Sequence, residues 1–173
     1  MTFADKHVWE PAAGRGHMAR PLAEYFRTVT SSDADADKLG FGFSHDFLFP
    51  APDQIKADPP DWIITNPPFV LLDRFIDQAS ALSTEGVAMF CRLQVLESHD
   101  RAEKIWHAAH KPMLVMPFAE RVPLVKGRID EAARSATAYC WVVWIRGYNP
   151  KFTWVDVIPP CRALLDRPGD YAA

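Results

Sequence analysis

His7-Val8-Trp9-Glu10-Pro11-Ala12-Ala13-Gly14-Arg15-Gly16 decides the fold. Its first four residues are β-prone around the apolar pair Val8-Trp9, and the strand they predict runs directly into a glycine turn. A helix should follow, because Met18, Leu22, Tyr25 and Phe26 recur at helical spacing. Pro21 then falls in the first turn, where a missing N–H costs little. Strand, glycine turn and helix in that order open an α/β unit, and Gly14 to Ala19 reads G-x-G-x-x-A. Gly14 permits the tight turn, Gly16 lets a ligand approach the backbone, and Ala19 allows close helix packing. Many such matches are no more than tight turns, so the neighbouring residues must decide.

Outward from this stretch, strand and helix patterns keep alternating. Thr28-Val29-Thr30 is a short strand ending at Ser32-Asp33, and 40–49 reads as loop with a short strand. Trp62-Ile63-Ile64-Thr65 is a buried strand stopped by Asn66-Pro67-Pro68. Leu72, Phe75, Ile76, Ala79 and Leu82 mark a helix, with Gly86 as its stop. Val87 to Leu96 is predominantly apolar, continuous through Cys91, as a strand covered on both faces should be. His99 to Ala109 is helical, and strands follow at 113–116, 137–145 and 153–158. The alternation predicts an α/β fold: an open, mostly parallel sheet with helices on both faces and an antiparallel C-terminal edge. In such sheets ligands sit beyond the carboxyl ends of the strands, at the switch in strand order.

Composition bounds the function. The chain has 173 residues, 49% hydrophobic and 24% charged, which fits one globular domain, residues 1–173, with no separate recognition module. No apolar run approaches a membrane span and no secretory leader is visible, so no membrane partner is expected. Three widely spaced cysteines, Cys91, Cys140 and Cys161, suit a reducing cytoplasm and lack zinc-site spacing. The net charge of −3 is unevenly spread. Residues 28–61 hold seven Asp against two Lys, whereas 101–128 hold six Lys/Arg against two Glu. The basic stretch reads as a solvated face or as a contact for a polyanion, DNA above all.

Several residue groups carry chemistry. Glu10 precedes the glycines, where a carboxylate would repel a pyrophosphate but would suit the ammonium of an amino-acid moiety. The helix N-terminus after Gly16 could then receive a carboxylate. Asp33, seventeen residues past Gly16, stands where a carboxylate takes two ribose hydroxyls, or else caps a turn in its acidic run. Asp46-Phe47-Leu48 offers an acceptor for an adenine amino group and an apolar wall. Phe41 and Phe43, in a Gly-Phe-Gly-Phe loop, are placed to cover a ligand. A ligand with adenosine at one end and a zwitterionic amino acid at the other is S-adenosylmethionine.

Asn66-Pro67-Pro68-Phe69 is the most specific stretch. Two prolines after a buried strand make a rigid turn that lacks backbone donors, so its carbonyls should face out unpaired. The Asn66 side-chain oxygen and the Pro67 carbonyl could each accept one hydrogen from a planar exocyclic amine. The nitrogen lone pair would then be free to attack a methyl sulfonium while Phe69 stacks on the ring bearing the amine. Histidines 99, 107 and 110 lack a matching carboxylate or Cys, and His17 is read as helix surface or cleft lining, so no metal is expected. Trp141 and Trp144 read as core of a long strand rather than a stacking platform.

Through Glu10-Pro11-Ala12-Ala13-Gly14-Arg15-Gly16, Asp33, Asp46-Phe47-Leu48 and Asn66-Pro67-Pro68-Phe69, the chain resembles the class I S-adenosylmethionine-dependent methyltransferases. Within them it is most similar to the small phage-type N6-adenine DNA methyltransferases. Weaker likeness extends through Val87 to Leu93, Arg121 to Leu124 and Ala138 to Trp144. The resemblance implies a Rossmann-like three-layer sandwich and S-adenosylmethionine as cofactor. It implies that Glu10, Pro11, Ala12, Gly14 and Gly16 hold the methionine part, Asp33 the ribose, and Asp46 with Phe47 the adenine. It implies that Asn66, Pro67, Pro68 and Phe69 hold the target amine, adenine being favoured because the cytosine-N4 relatives usually carry Ser where Asn66 stands. An RNA base or a protein glutamine amide is an alternative acceptor, and a non-catalytic binding domain a third reading. Family members usually carry a further cofactor-contacting segment before the first strand and a recognition region after the last, so a domain trimmed at both ends is expected.

Overall fold

The computed structural model describes residues 2–97, 102–106, 111–123 and 136–167. In chain order the elements are β1 (His7–Glu10), α1 (Ala19–Leu22), β2 (Thr28–Asp33), α2 (Ala36–Leu39), β3 (Phe43–Ser44), α3 (Asp53–Ala57), β4 (Trp62–Thr65), α4 (Leu72–Leu82), β5 (Gly86–Arg92), β6 (Leu114–Pro117), β7 (Tyr139–Ile145), β8 (Trp154–Val155) and α5 (Arg162–Leu165). Single 3₁₀ or π turns lie at Phe69–Leu71, Leu93–Glu97 and Ala102–Trp106.

The strands form one sheet in the order β3-β2-β1-β4-β5-β7-β6-β8. The β3-β2-β1-β4-β5 half is parallel throughout, and β7 runs against both β5 and β6. Strand order reverses between β1 and β4, so the switch point lies at the ends of these two strands.

Alternation along the strands builds two apolar layers. On one face Trp9, Ile63, Val87, Met89 and Val142 pack against Leu72, Phe75, Ile76 and Ala79 of α4. That helix lasts eleven residues because its apolar positions recur every three to four. On the other face Val8, Trp62, Ala88 and Val143 meet Phe26 and Leu22.

Several elements differ from the sequence expectation. Helix α1 has only four residues, Ala19–Leu22, and Tyr25 is exposed, so the apolar spacing out to Phe26 ends in turns rather than helix. Gly86 does not stop α4; it opens β5, where a Cβ would come within 2.6 Å of the Trp62 ring and 2.9 Å of the Trp144 carbonyl. The apolar run past Arg92 leaves the strand and turns as 3₁₀ helix. The acidic run after Asp33 is α2, closed by Gly40 at φ +70°. Of the region expected to be helical, only Ala102–Trp106 is described, as a π turn; His99, His107 and His110 lie outside the described residues. No described helix is long and apolar enough to cross a membrane.

Candidate active site

The carboxyl ends of the parallel strands share one rim. Glu10 ends β1, Asp33 ends β2, Asn66 follows β4 and Arg92 ends β5. Tyr139, which opens the reversed strand β7, pairs with Arg92 and joins them there. Glu10 and Asn66 therefore flank the switch point.

The glycine turn is held from both sides. Ala13 donates to the Ser32 carbonyl at 2.9 Å, and Gly16 to the Ala13 carbonyl at 2.8 Å. Gly14 and Gly16 take φ of +56° and +80°, a backbone region that excludes most side chains. Asp33 accepts from the Gly14 N–H at 2.9 Å through one oxygen and from the Asp35 N–H at 2.9 Å through the other. Its carboxylate thus fixes the turn, and each oxygen keeps a second lone pair.

Glu10 is 2% exposed, and its Oε2 has no hydrogen-bond partner. Burial pushes its pKa up to about 8; the Ala19 backbone N–H opposes this and the Asp33 charge adds to it. A buried carboxyl with an orphaned oxygen suits a cation that arrives with its ligand. Pro11 is fully buried behind Glu10, and Ala12 packs against the first core layer.

The Cβ that Gly16 lacks would come within 2.5 Å of the Phe41 ring. The space a glycine leaves for a ligand is thus filled by Phe41, which the Arg20 guanidinium covers at 5.1 Å. Gly40 and Gly42, at φ +70° and +74°, flank that residue. The loop expected to cover a ligand covers the turn itself.

Further along the rim, Asp46 is exposed and accepts the Leu48 N–H at 3.0 Å. Phe47 is 2% exposed and packs on Trp9 and Phe75 at 5.1 and 4.8 Å between centroids. It is a core side chain that anchors the loop presenting Asp46. His45, absent from the sequence reading, lies between the rings of Trp9 and Phe43 with Nε2 buried and unpartnered. Burial lowers its pKa, so the ring is held neutral. Its sequence neighbours carry no pattern that would have flagged it.

The Asn-Pro-Pro-Phe turn leaves β4 and passes into the 3₁₀ turn Phe69–Leu71. Asn66 Oδ1 is buried and has no donor, and Thr65 Oγ1 beside it is also unpartnered. The row of open carbonyls expected here is shorter than the sequence suggested: the Pro68 carbonyl accepts the Leu71 N–H at 2.8 Å. Pro67 is buried, Pro68 exposed and Phe69 half-buried. The Phe69 ring lies 6.2 Å from that of Tyr139, which stacks on Phe90 at 5.1 Å. A cavity of ≈ 280 Å³ opens beside it, between Phe69, Leu72 and Val95 and the polar side chains of Arg92 and Gln94.

Of the basic stretch 101–128, Lys111 and Arg121 are described; Arg101, Lys126, Arg128 and the side chain of Lys104 lie outside the described residues. His17 is exposed in the turn that precedes α1, Trp144 is core and Trp141 is half-buried against Phe90. Cys91 and Cys140 are buried, unbridged and 3.8 Å apart. Among the described residues no cluster of His, Cys, Asp and Glu could hold a metal ion.

No protein-family model matches the chain, and no curated protein matches it. Solved structures do. A protein from Listeria monocytogenes assigned as a class I S-adenosylmethionine-dependent methyltransferase aligns over 90% of this chain and 59% of its own, with 12% identity and TM-score 0.60. The 23S rRNA methyltransferase ErmE aligns over 87% and 65%, with 19% identity and TM-score 0.53. The methyltransferase subunit of a type I restriction-modification system from Streptococcus thermophilus aligns over 98% and 45%, with 11% identity and TM-score 0.57. The chain therefore spans less than two thirds of each of these three proteins. At such identities the likeness is one of fold: the Rossmann-like α/β sandwich of class I methyltransferases.

Proposed function

We propose that this chain is an S-adenosylmethionine-dependent methyltransferase that methylates an exocyclic amine, adenine N6 in DNA being the acceptor its turn fits best. One observation carries the reading: at the switch point, Glu10 and Asn66 each present a buried oxygen without a partner. Buried polar groups are nearly always satisfied, so two orphans on one rim mark positions where a ligand completes the bonding.

The residues fit the cofactor. Glu10 would take the ammonium, the turn Gly14–Gly16 would hold the methionine part once Phe41 moves off Gly16, Asp33 would offer its remaining lone pairs to the ribose, and Asp46 would accept from the adenine amino group. When bound, S-adenosylmethionine supplies an electrophilic methyl group on its sulfonium. The protein's part is positional: Asn66 Oδ1 and the Pro67 carbonyl accept the two amine hydrogens and aim the nitrogen lone pair. Phe69 supports the ring bearing that amine. A base in duplex DNA must be flipped out to reach them. The unbridged pair Cys91 and Cys140 suits the reducing cytoplasm in which this chemistry would run.

The test is incubation with labelled cofactor and DNA, RNA or protein, with mass spectrometry of each. Label on adenine N6 of DNA, falling at least ~100-fold in Asn66→Ala, is expected. Equal rates in variant and parent would overturn the mechanism, and label on RNA or a glutamine amide would change the acceptor. A non-catalytic binding role is favoured by one observation, the Phe41 ring against Gly16.

A further inference from the structure

Arg92 closes β5 on the rim that carries Asn66, and its guanidinium lies 4.7 Å above the centre of the Phe69 ring. The side chain is exposed, and no carboxylate among the described residues pairs with it. It also lines the cavity beside Phe69, with Gln94 as the other polar group. An arginine with no counter-charge among the described residues, fixed by an aromatic face at the mouth of a pocket, is a planar fork of donors suited to an anion. A glutamine amide on a protein carries no anion at a fixed distance from its amine, so a carboxylate would meet that fork only by the chance of neighbouring sequence. A nucleotide does, because its base and its phosphate lie one sugar apart, and guanidinium binds phosphate in bidentate geometry.

Resting on the reading of Asn66 to Phe69 as the amine-holding turn, we propose that Arg92 is a specificity-determining residue. It takes the phosphodiester of the nucleotide whose base sits at Phe69, and so restricts the acceptor to a polynucleotide. The contact at Phe69 holds the guanidinium in place until the phosphate arrives. Deoxyribose and ribose strands share this phosphodiester chemistry, so the two are separated by experiment.

The test measures binding of fluorescein-labelled single-stranded oligodeoxynucleotide and oligoribonucleotide of one adenine-containing sequence. Fluorescence anisotropy is followed at several salt concentrations for the full chain, Arg92→Ala, Arg92→Lys and Asn66→Ala, each first matched to the parent by near-ultraviolet circular dichroism. Arg92→Ala should weaken binding about tenfold and flatten the slope of log Kd against log salt by about 0.7, the share of one phosphate contact on a single strand. Arg92→Lys should keep the slope, and Asn66→Ala should leave it unchanged. The stronger of the two strands identifies the sugar. Equal affinity and slope in Arg92→Ala and parent would overturn the proposal, as would a parent that binds neither strand. A slope lost in Arg92→Ala while the parent transfers no methyl group would uphold Arg92 and remove the methyl-transfer reading. Methyl transfer that depends on Asn66 with no change at Arg92 would do the reverse.

Discussion

Glu10 is the residue whose chemistry is furthest from its sequence average. A carboxyl with a pKa near 8 stays protonated in the folded chain where the unfolded chain, at 4.5, has already ionised. A pKa raised on folding means stability that is full below about 4.5 and is lost as pH climbs to about 8. Glu10→Gln cannot ionise at this position, so between pH 5 and 8.5 the parent should lose up to about 4 kcal/mol more stability than the variant. Urea unfolding at pH 5 and pH 8.5 measures the difference; parallel pH profiles would mean that Glu10 is not buried as a neutral acid. The same proton must leave before an ammonium is bound, so affinity for S-adenosylhomocysteine should rise from pH 6.5 to 8.5. Much of this was legible in the sequence, because a carboxylate before a glycine turn already argues for a cation. The orphaned Oε2 was not, since it depends on how α1 and β2 close around the side chain.

At the scale of elements, the loop between α2 and β3 and the start of β5 are the informative pieces. Phe41 fills the space that Gly16 leaves, between two glycines in left-handed backbone. A ligand that approaches Gly16 must displace this ring, and displacement subtracts from affinity. Phe41→Ala should therefore bind S-adenosylhomocysteine roughly three- to tenfold more tightly by calorimetry; unchanged or weaker binding would mean the ring supports the site. Gly86 is strand rather than helix stop because Trp62 and the Trp144 carbonyl leave no room for a Cβ. Gly86→Ala should cost about 1–3 kcal/mol in urea unfolding, because one obstacle is backbone and cannot swing aside. Local pattern could not distinguish a stop from a close approach, since both are written as glycine. It also overran α1, where apolar spacing out to Phe26 is used by turns packed on β4 and β1 rather than by helix.

Across the whole molecule, the parallel half of the sheet was readable from alternation alone, because buried strands and their glycine or proline exits are local signals. The place of β7 between β5 and β6 was not, because strand order is set by long-range pairing. The site follows the same division. The residues at the ends of β1, β2 and β4 were found by their position after strands, whereas Arg92 and His45 gain meaning only once the sheet brings them to the rim. The central claim is that this rim holds S-adenosylmethionine, with Glu10 on its ammonium. Calorimetric titration of S-adenosylhomocysteine, which carries the same ammonium, into the parent and Glu10→Gln at pH 8 tests it most directly. Saturable one-to-one heat in the parent, lost or weakened at least ~10-fold in the variant, is the predicted result. No heat in the parent, or equal affinity in both proteins, would contradict it.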